Sequence, residues 1–480
     1  MVDVVIIGAG VIGAMTARQL CRNRLSVCVV ERANDGAAGA SRANSGIVHA
    51  GFDAKPGTLK ARLNVAGSEK MEQIAGELGV PYKRNGSLVL GYDEKDKTIL
   101  ENLYRQGQEN GVRRLELLDQ EKLREIEPGV SRQAVCALHA PTGAIVCPYE
   151  LTIAALGNAM DHGAQFLRGF EVTDIRETEE VVVLEAADGR QVEARFVVNA
   201  AGTFADKIAQ MLGDDSFSIH PRRGEYLLLD KECGGLVRHT LFRTPTEKGK
   251  GILVSPTVDG NLLLGPTAQE QEDRESVETT AAGLAQIISQ SGSEAEGIPV
   301  RQVITSFAGL RAAGNTGDFI IRTWGKRTVH AAGIESPGLS ASPAIAEYVA
   351  ELLQGLGLEL NPREDFNPGR KPAHWFRELS LEEKDAYIQE HPDYGKMVCR
   401  CESVSEGEIL EAMRREPKAL DVDSIKRRTR SGMGRCQGGF CSPRIVELLA
   451  REQGISLEQV TKSGKGSYLN IGKTKGGEQA

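Results

Sequence analysis

The first thirty residues change period twice. VVII is a short β-rich run, VIGAMTARQLCRN has helical spacing, and VCVVE is β-rich again. Between the first run and the helix lies GAGVIG, with Gly8, Gly10 and Gly13. In such a turn the first glycine makes the bend and the second lets the backbone approach a pyrophosphate. The third lets helix and strand pack closely. The helix N-terminus offers unpaired N–H groups and a positive dipole end to the phosphates. Glu31 closes the second strand, where a carboxylate can accept hydrogen bonds from ribose hydroxyls. This βαβ unit reads as the start of a doubly wound α/β domain that binds a dinucleotide.

A chain of 480 residues exceeds one ordinary core, so two or three domains are expected. The net charge of −8 argues against a protein dedicated to nucleic acid or to an anionic membrane. No basic segment precedes the first apolar run, which a glycine interrupts, so it reads as a buried strand and not as a signal peptide. No run approaches the roughly 18 to 20 apolar residues of a spanning helix, and a cytoplasmic location is expected. In a reducing compartment nine cysteines read as thiols or metal ligands before disulfides. Amphipathic helices are expected over 59–78, 97–110 and 274–290, and one opening at Pro148. Residues 222–270 read as strand-rich.

Three further segments sharpen the reading: SRANSGIVHAGF at 41–52, FVVNAAGTFAD at 196–206 and GIESPGLSASPA at 333–344. In this order the chain, over about residues 1–360, resembles the FAD-dependent oxidoreductases of the D-amino acid oxidase and glycerol-3-phosphate dehydrogenase superfamily. The resemblance implies an α/β FAD-binding Rossmann-like domain, in parts at about 1–80, 145–215 and 310–365. An antiparallel α+β substrate domain would be interleaved with it, at about 81–144 and 216–309. The cofactor set then comprises Gly8, Gly10, Gly13, Glu31, Arg32, Ser41, Asn44, Ser45, Ala200, Gly202, Gly333, Gly338, Leu339 and Ser340. Backbone N–H groups of the helix after Ser340 would face the flavin edge that becomes anionic on reduction.

On the substrate side, the family places His49 near the flavin, and histidine suits proton transfer near neutrality. His49 is the first candidate base, and a packed or flavin-contacting role is the alternative. Arg311 in FAGLRAAGNTGDF resembles the family's anion clamp, with a guanidinium suited to carboxylate or phosphate. Arg222, Arg223 and Glu225, and Lys248 and Lys250, are secondary candidates that also fit solvated faces. The resemblance leans to glycerol 3-phosphate, because relatives ending in a cysteine module include the anaerobic type of that dehydrogenase. RANSGIVHAG is also close to the pattern of L-2-hydroxyglutarate dehydrogenases, so a 2-hydroxy acid or an amine stays open.

Residues 366–395 are polar and Pro-rich and read as a linker with a short helix. A cysteine module follows at 396–453, then a Gly- and Lys-rich tail at 454–480 that is expected to be mobile. Cys399 and Cys401 are spaced C-x-C, and Cys436 and Cys441 are spaced C-x-x-x-x-C. Neither is the C-x-x-C knuckle usual for structural zinc, whereas iron–sulfur clusters accept more variable spacing. VCRCE and GMGRCQGGFC resemble the bacterioferritin-associated ferredoxin type of [2Fe–2S] domain. Lys426, Arg427, Arg428, Arg430 and Arg435 are expected to balance an anionic cluster. The other five cysteines read as buried core. A cluster points to an electron-accepting protein, such as a second flavoprotein or a quinone-linked subunit, and so to a dehydrogenase. The alternative is a zinc-stabilised docking module on a flavoprotein that uses oxygen. An oligomer is compatible with either reading.

Overall fold

The computed structural model describes residues 1–245 and 251–472; Lys248 and Lys250 lie outside the described residues. Two large sheets organise the chain. In the eight-stranded sheet, β1 (Val2–Ile7) is the central strand. It runs parallel to β2 (Val27–Glu31) on one side and to Gln191–Asn199 on the other. The helix α1 (Val11–Leu20) packs on one face of this sheet with the helices Pro148–Asp161 and Gly338–Gly355. Val4, Ile6, Val29, Leu151 and Ile345 meet there with no exposed surface. The strands read as near-continuous apolar runs because their sheet is covered on both faces.

The nine-stranded sheet is mostly antiparallel, and its two longest strands, β3 (Ile219–Leu229) and β4 (Val303–Gly314), pair at one end of it. Their register pairs Arg222 with Arg311 and Gly224 with Gly309. Residue period two then puts Arg222, Gly224 and Tyr226 on one face, with Arg223 and Glu225 on the other. β4 extends to Gly314, past the expected substrate-domain limit at 309.

Local reading held for the helix Leu59–Leu78 and for the helix opened by Pro148. The helix expected over 274–290 begins only at Ala281. Thr280 caps it, and the buried Glu225 carboxylate accepts both the Thr280 N–H and its hydroxyl, at 3.0 Å each. The expected linker holds two short helices, Trp375–Glu378 and Leu381–Glu390. Trp375 and Tyr394 both donate to Glu411 of the module at 2.8 Å, so this segment is tied down. Within the expected tail, Val460 is buried in the module and Lys462 pairs with Asp423 at 2.9 Å, so this part is held in place. No helix among the described residues is long and apolar enough to cross a membrane.

The cysteine module has its own core of Val404, Ile409, Leu410, Ile425, Ile445 and Leu448. Capping boxes at Ser405 and Asp421 start two of its helices, Glu406–Arg414 and α2 (Val422–Thr429). The basic run that was expected to balance a cluster mainly does something else. Arg427 and Arg428 reach the first domain and clamp Asp35, at 2.6 and 2.7 Å. Arg430 pairs with Glu402 at 2.8 Å and with Asp259 at 2.5 Å. Arg435 pairs with Asp230 and Glu232 at 2.8 Å. The run is a dock between the module and the rest of the chain.

Asp35 is only 2% exposed. Burial alone would push its carboxyl up, but Arg428 and then Arg427 outweigh burial and hold it at about 2. Its contribution to docking is therefore present above its ordinary value of 3.8 and is lost as pH falls from there through about 2. Asp35→Ala strands two buried guanidinium groups, a loss of about 3–5 kcal/mol for a broken buried pair. The expected result is a lower unfolding midpoint and faster proteolytic release of the module at pH 7. A midpoint equal to the parent's would contradict this account of the dock.

Candidate active site

One cavity of about 1550 Å³ runs from the GAGVIG turn to the face of β3 and β4. Gly8, at φ +105°, is a position where a Cβ would collide with the carbonyl of Ala200. Gly10 is the N-cap of α1, and the Val11 N–H donates to Ser41 Oγ at 2.8 Å. Gly13 lies beneath the turn, where a Cβ would overlap Gly8 O. Glu31 lines the cavity while its two oxygens accept the N–H groups of Ala9 and Ala33, at 2.9 Å each. Burial holds its carboxyl above the usual range. Arg32 stacks on the Phe204 ring at 4.1 Å and pairs with Glu275 at 2.6 Å. Phe204 lies in the segment 196–206 but was not singled out, and Glu275 carried no signal in the sequence.

The segment 40–45 crosses the cavity wall. Asn44 braces it, donating to Ala40 O at 3.0 Å and accepting from the Gly46 N–H at 2.9 Å. Ser45 Oγ lies 3.3 Å from Tyr226 Oη. A small sheet of Ile47–Val48, Ala144–Val146 and Tyr82–Lys83 fixes the far side of the segment. Ala200, Gly202, Gly333, Gly338 and Leu339 complete this part of the lining. The helix Gly338–Gly355 starts at Gly338, not after Ser340. Ser340 is inside the first turn and does not line the cavity. Its Oγ accepts the His49 N–H at 2.7 Å and so fixes the backbone of His49.

His49 faces the cavity, with Nε2 3.3 Å from Ser336 Oγ and its ring 5.8 Å from that of Phe242. Arg311 lines the same space and donates from both Nη atoms to Thr267 O at 3.3 Å. Among the described residues it has no carboxylate partner. Arg222 also reaches the cavity, held by Glu270 at 2.6 Å and within 3.8 Å of Glu335. Lys60 pairs with the same Glu335 at 3.0 Å. Arg223 and Glu225 pair with each other away from the cavity. A period-two reading of PRRGEY would have separated Arg222 from Arg223.

The four module cysteines form two pairs. Cys401 and Cys436 have sulfurs 3.8 Å apart. Cys399 receives the Cys441 S–H and the N–H groups of Gly432 and Glu402, which together hold its thiol down at about 6. The Cys436 thiol is also lowered, first by the Phe440 N–H. Among the described residues no three His, Cys, Asp or Glu side chains converge on one point. Two thiol pairs with amides aimed at sulfur suit a binuclear cluster better than a single tetrahedral ion.

This cradle of glycines, a helix N-terminus and a cavity spanning two sheets defines a flavin-dinucleotide oxidoreductase. Residues 3–352 match the family described as FAD dependent oxidoreductase, and residues 397–451 match the BFD-like [2Fe-2S] binding domain. The chain belongs to this FAD-dependent oxidoreductase family, is an enzyme that uses FAD, and carries a [2Fe–2S] domain. It is 45% identical over 99% of both chains to a glycerol 3-phosphate dehydrogenase of Caloramator mitchellensis. A glycerol 3-phosphate oxidase of Mycoplasma pneumoniae is 30% identical over 73% of this chain and 94% of its own. Human L-2-hydroxyglutarate dehydrogenase is 30% identical over 60% of this chain and 66% of its own. The dithionite-reduced, FAD-bound L-alpha-glycerophosphate oxidase structure from Mycoplasma pneumoniae superposes with a TM-score of 0.73 at 29% identity, over 77% of this chain and 98% of that one.

Gly309 tests the cradle. A Cβ there would overlap Ala43 O and push segment 40–45 inward. Overpacking of this kind costs about 1–3 kcal/mol. Gly309→Ala should therefore hold FAD roughly tenfold or more weakly, read as flavin content after desalting. Full flavin content would show that the close approach is unimportant.

Proposed function

We propose that the protein oxidises glycerol 3-phosphate to dihydroxyacetone phosphate and sends the electrons through a [2Fe–2S] cluster to a protein acceptor. The observation that carries this reading is the span of its similarity. The dehydrogenase relative matches along the whole chain, cysteine module included, whereas the oxidase relative covers 73% of it.

Bound FAD supplies a hydride acceptor. The residues of the chain do the remaining work. Gly8, Gly10, Glu31, Arg32, Ser41, Asn44, Ser45, Ala200 and Gly202 would hold the cofactor, with Gly333, Gly338 and Leu339 at its far end. Arg311, unpaired with any described carboxylate, would grip the phosphate, and a fork of N–H donors suits that anion. His49 would take the hydroxyl proton, with Ser336 and the backbone bond to Ser340 setting its ring. Cys399, Cys401, Cys436 and Cys441 would ligate the cluster. Residues 1–365 would form the oxidoreductase part and 396–453 the electron exit. A cytoplasmic location and an acceptor that is itself a flavoprotein are part of this proposal.

Anaerobic mixing with glycerol 3-phosphate is expected to bleach the flavin, and L-2-hydroxyglutarate is not. The opposite outcome would transfer the assignment to 2-hydroxy acids. Arg311→Gln should raise KM by about 100-fold or more, the ordinary scale of losing a buried charge-assisted contact of roughly 3 kcal/mol. His49→Asn should instead lower kcat by about 100-fold or more, the usual share of a general base, with KM little changed. Iron and sulfide analysis should give about two of each per chain, and zinc in their place would remove the electron-exit reading.

A further inference from the structure

The two thiol pairs differ in their access to solvent. Cys399 and Cys441 are 2% and 1% exposed, whereas Cys401 is open and Cys436 is half-open. A cluster held by all four therefore has one side turned outward. Beside that side stands Phe440, 87% exposed. Such exposure is costly for a residue fixed in place, and Phe440 is fixed. Its N–H donates to Cys436 Sγ, and the next residue, Cys441, caps the helix Ser442–Gln453. The preceding glycines are locked as well: Gly438 has φ +90°, and the Gly439 N–H donates to Cys436 O at 3.0 Å.

The cations nearby are not equally available. Arg435 is taken by Asp230 and Glu232, and Arg444 by Glu406 and Glu447. Arg400, exposed between Cys399 and Cys401, has no ion pair among the described residues. An ordered aromatic with a free arginine is the composition of an interface hot spot. A small-molecule acceptor would need neither.

We propose that Phe440 and Arg400 form the docking face for a one-electron carrier protein that presents carboxylates around its own redox centre. The proposal rests on the electron-exit reading above. Each oxidation of CH–OH to C=O releases two electrons and two protons. The face would pass one electron per encounter, so two carriers are reduced per substrate while both protons go to solvent. Rigid Phe440 supplies the apolar contact at little entropic cost. Arg400 meets the carboxylates and offsets the repulsion between an acidic carrier and an anionic cluster.

The test uses the full-length enzyme with FAD and cluster, and the variants Phe440→Ala and Arg400→Glu. Plastocyanin, an acidic copper protein, is the probe, and basic cytochrome c is the control. In each variant the flavin should bleach with glycerol 3-phosphate and the cluster should reduce at the parent's rate. Plastocyanin reduction should fall about tenfold or more, as for a hot-spot truncation. Binding of reduced plastocyanin, which accepts no electron, should weaken by a similar factor. Salt should slow the parent and have less effect on Arg400→Glu. Unchanged plastocyanin binding in both variants, or faster reduction of cytochrome c by the parent, would overturn the face. Self-association of the parent that Phe440→Ala abolishes would reassign it to a second copy of this chain. A parent whose flavin bleaches while its cluster stays oxidised would instead refute the electron exit, and the face with it.

Discussion

The arrangement of the molecule depends on one buried carboxylate held by two arginines. Asp35 follows β2 in the loop after Glu31, so it belongs to the cofactor side of the first domain. Arg427 and Arg428 come from α2, almost four hundred residues later in the chain. Neither charge is tolerable in that environment without the other, because an unpaired buried ion costs several kcal/mol. The pair therefore fixes where the cysteine module sits more firmly than apolar contact alone would. Asn34 adds to it, donating to Asp421 at 2.9 Å. A second contact is made by Arg430, which joins Glu402, next to Cys401, to Asp259 in the other sheet. Module, dinucleotide domain and substrate domain thus share one polar seam.

Close backbone approach is the other constraint. Gly309 admits Ala43, and Gly224, its cross-strand partner, leaves the space that the Arg311 guanidinium occupies. Without these two glycines the antiparallel sheet could not come up against the segment that lines the cofactor cavity. The long β3 and β4 pair carries Arg222 and Arg311 on the same face at the same register position. Two sheets of different kinds therefore supply one cavity: the glycine turn comes from the parallel sheet, and the Arg222 and Arg311 side chains come from the antiparallel one.

What could be read from the sequence follows from how local each cause is. GAGVIG and the helix Leu59–Leu78 are specified by neighbours a few residues away, and both were legible. The four thiols were legible as a set through their spacing but their pairing was not, because Cys401 meets Cys436 and Cys399 meets Cys441 across the two motifs. The basic run KRRTR was misjudged because its partners, Asp35 and Asp259, are distant in sequence, and charge alone does not name a partner. The start of the helix at Ala281 was missed for the same reason, since Glu225 supports the Thr280 cap from another strand. Arg222 was legible as a secondary candidate but was not separated from Arg223 and Glu225, because that depends on its register with Arg311. Lys60 gave no signal, and Glu335 was not singled out within its motif segment 333–344.

The central claim is that substrate electrons leave through the docked module. It is tested most directly by freezing the anaerobic holoenzyme after one equivalent of glycerol 3-phosphate and recording its low-temperature electron paramagnetic resonance spectrum. The account predicts the signal of a reduced [2Fe–2S] cluster, appearing as the flavin absorbance recovers from full bleaching. A fully bleached flavin with no cluster signal would contradict it.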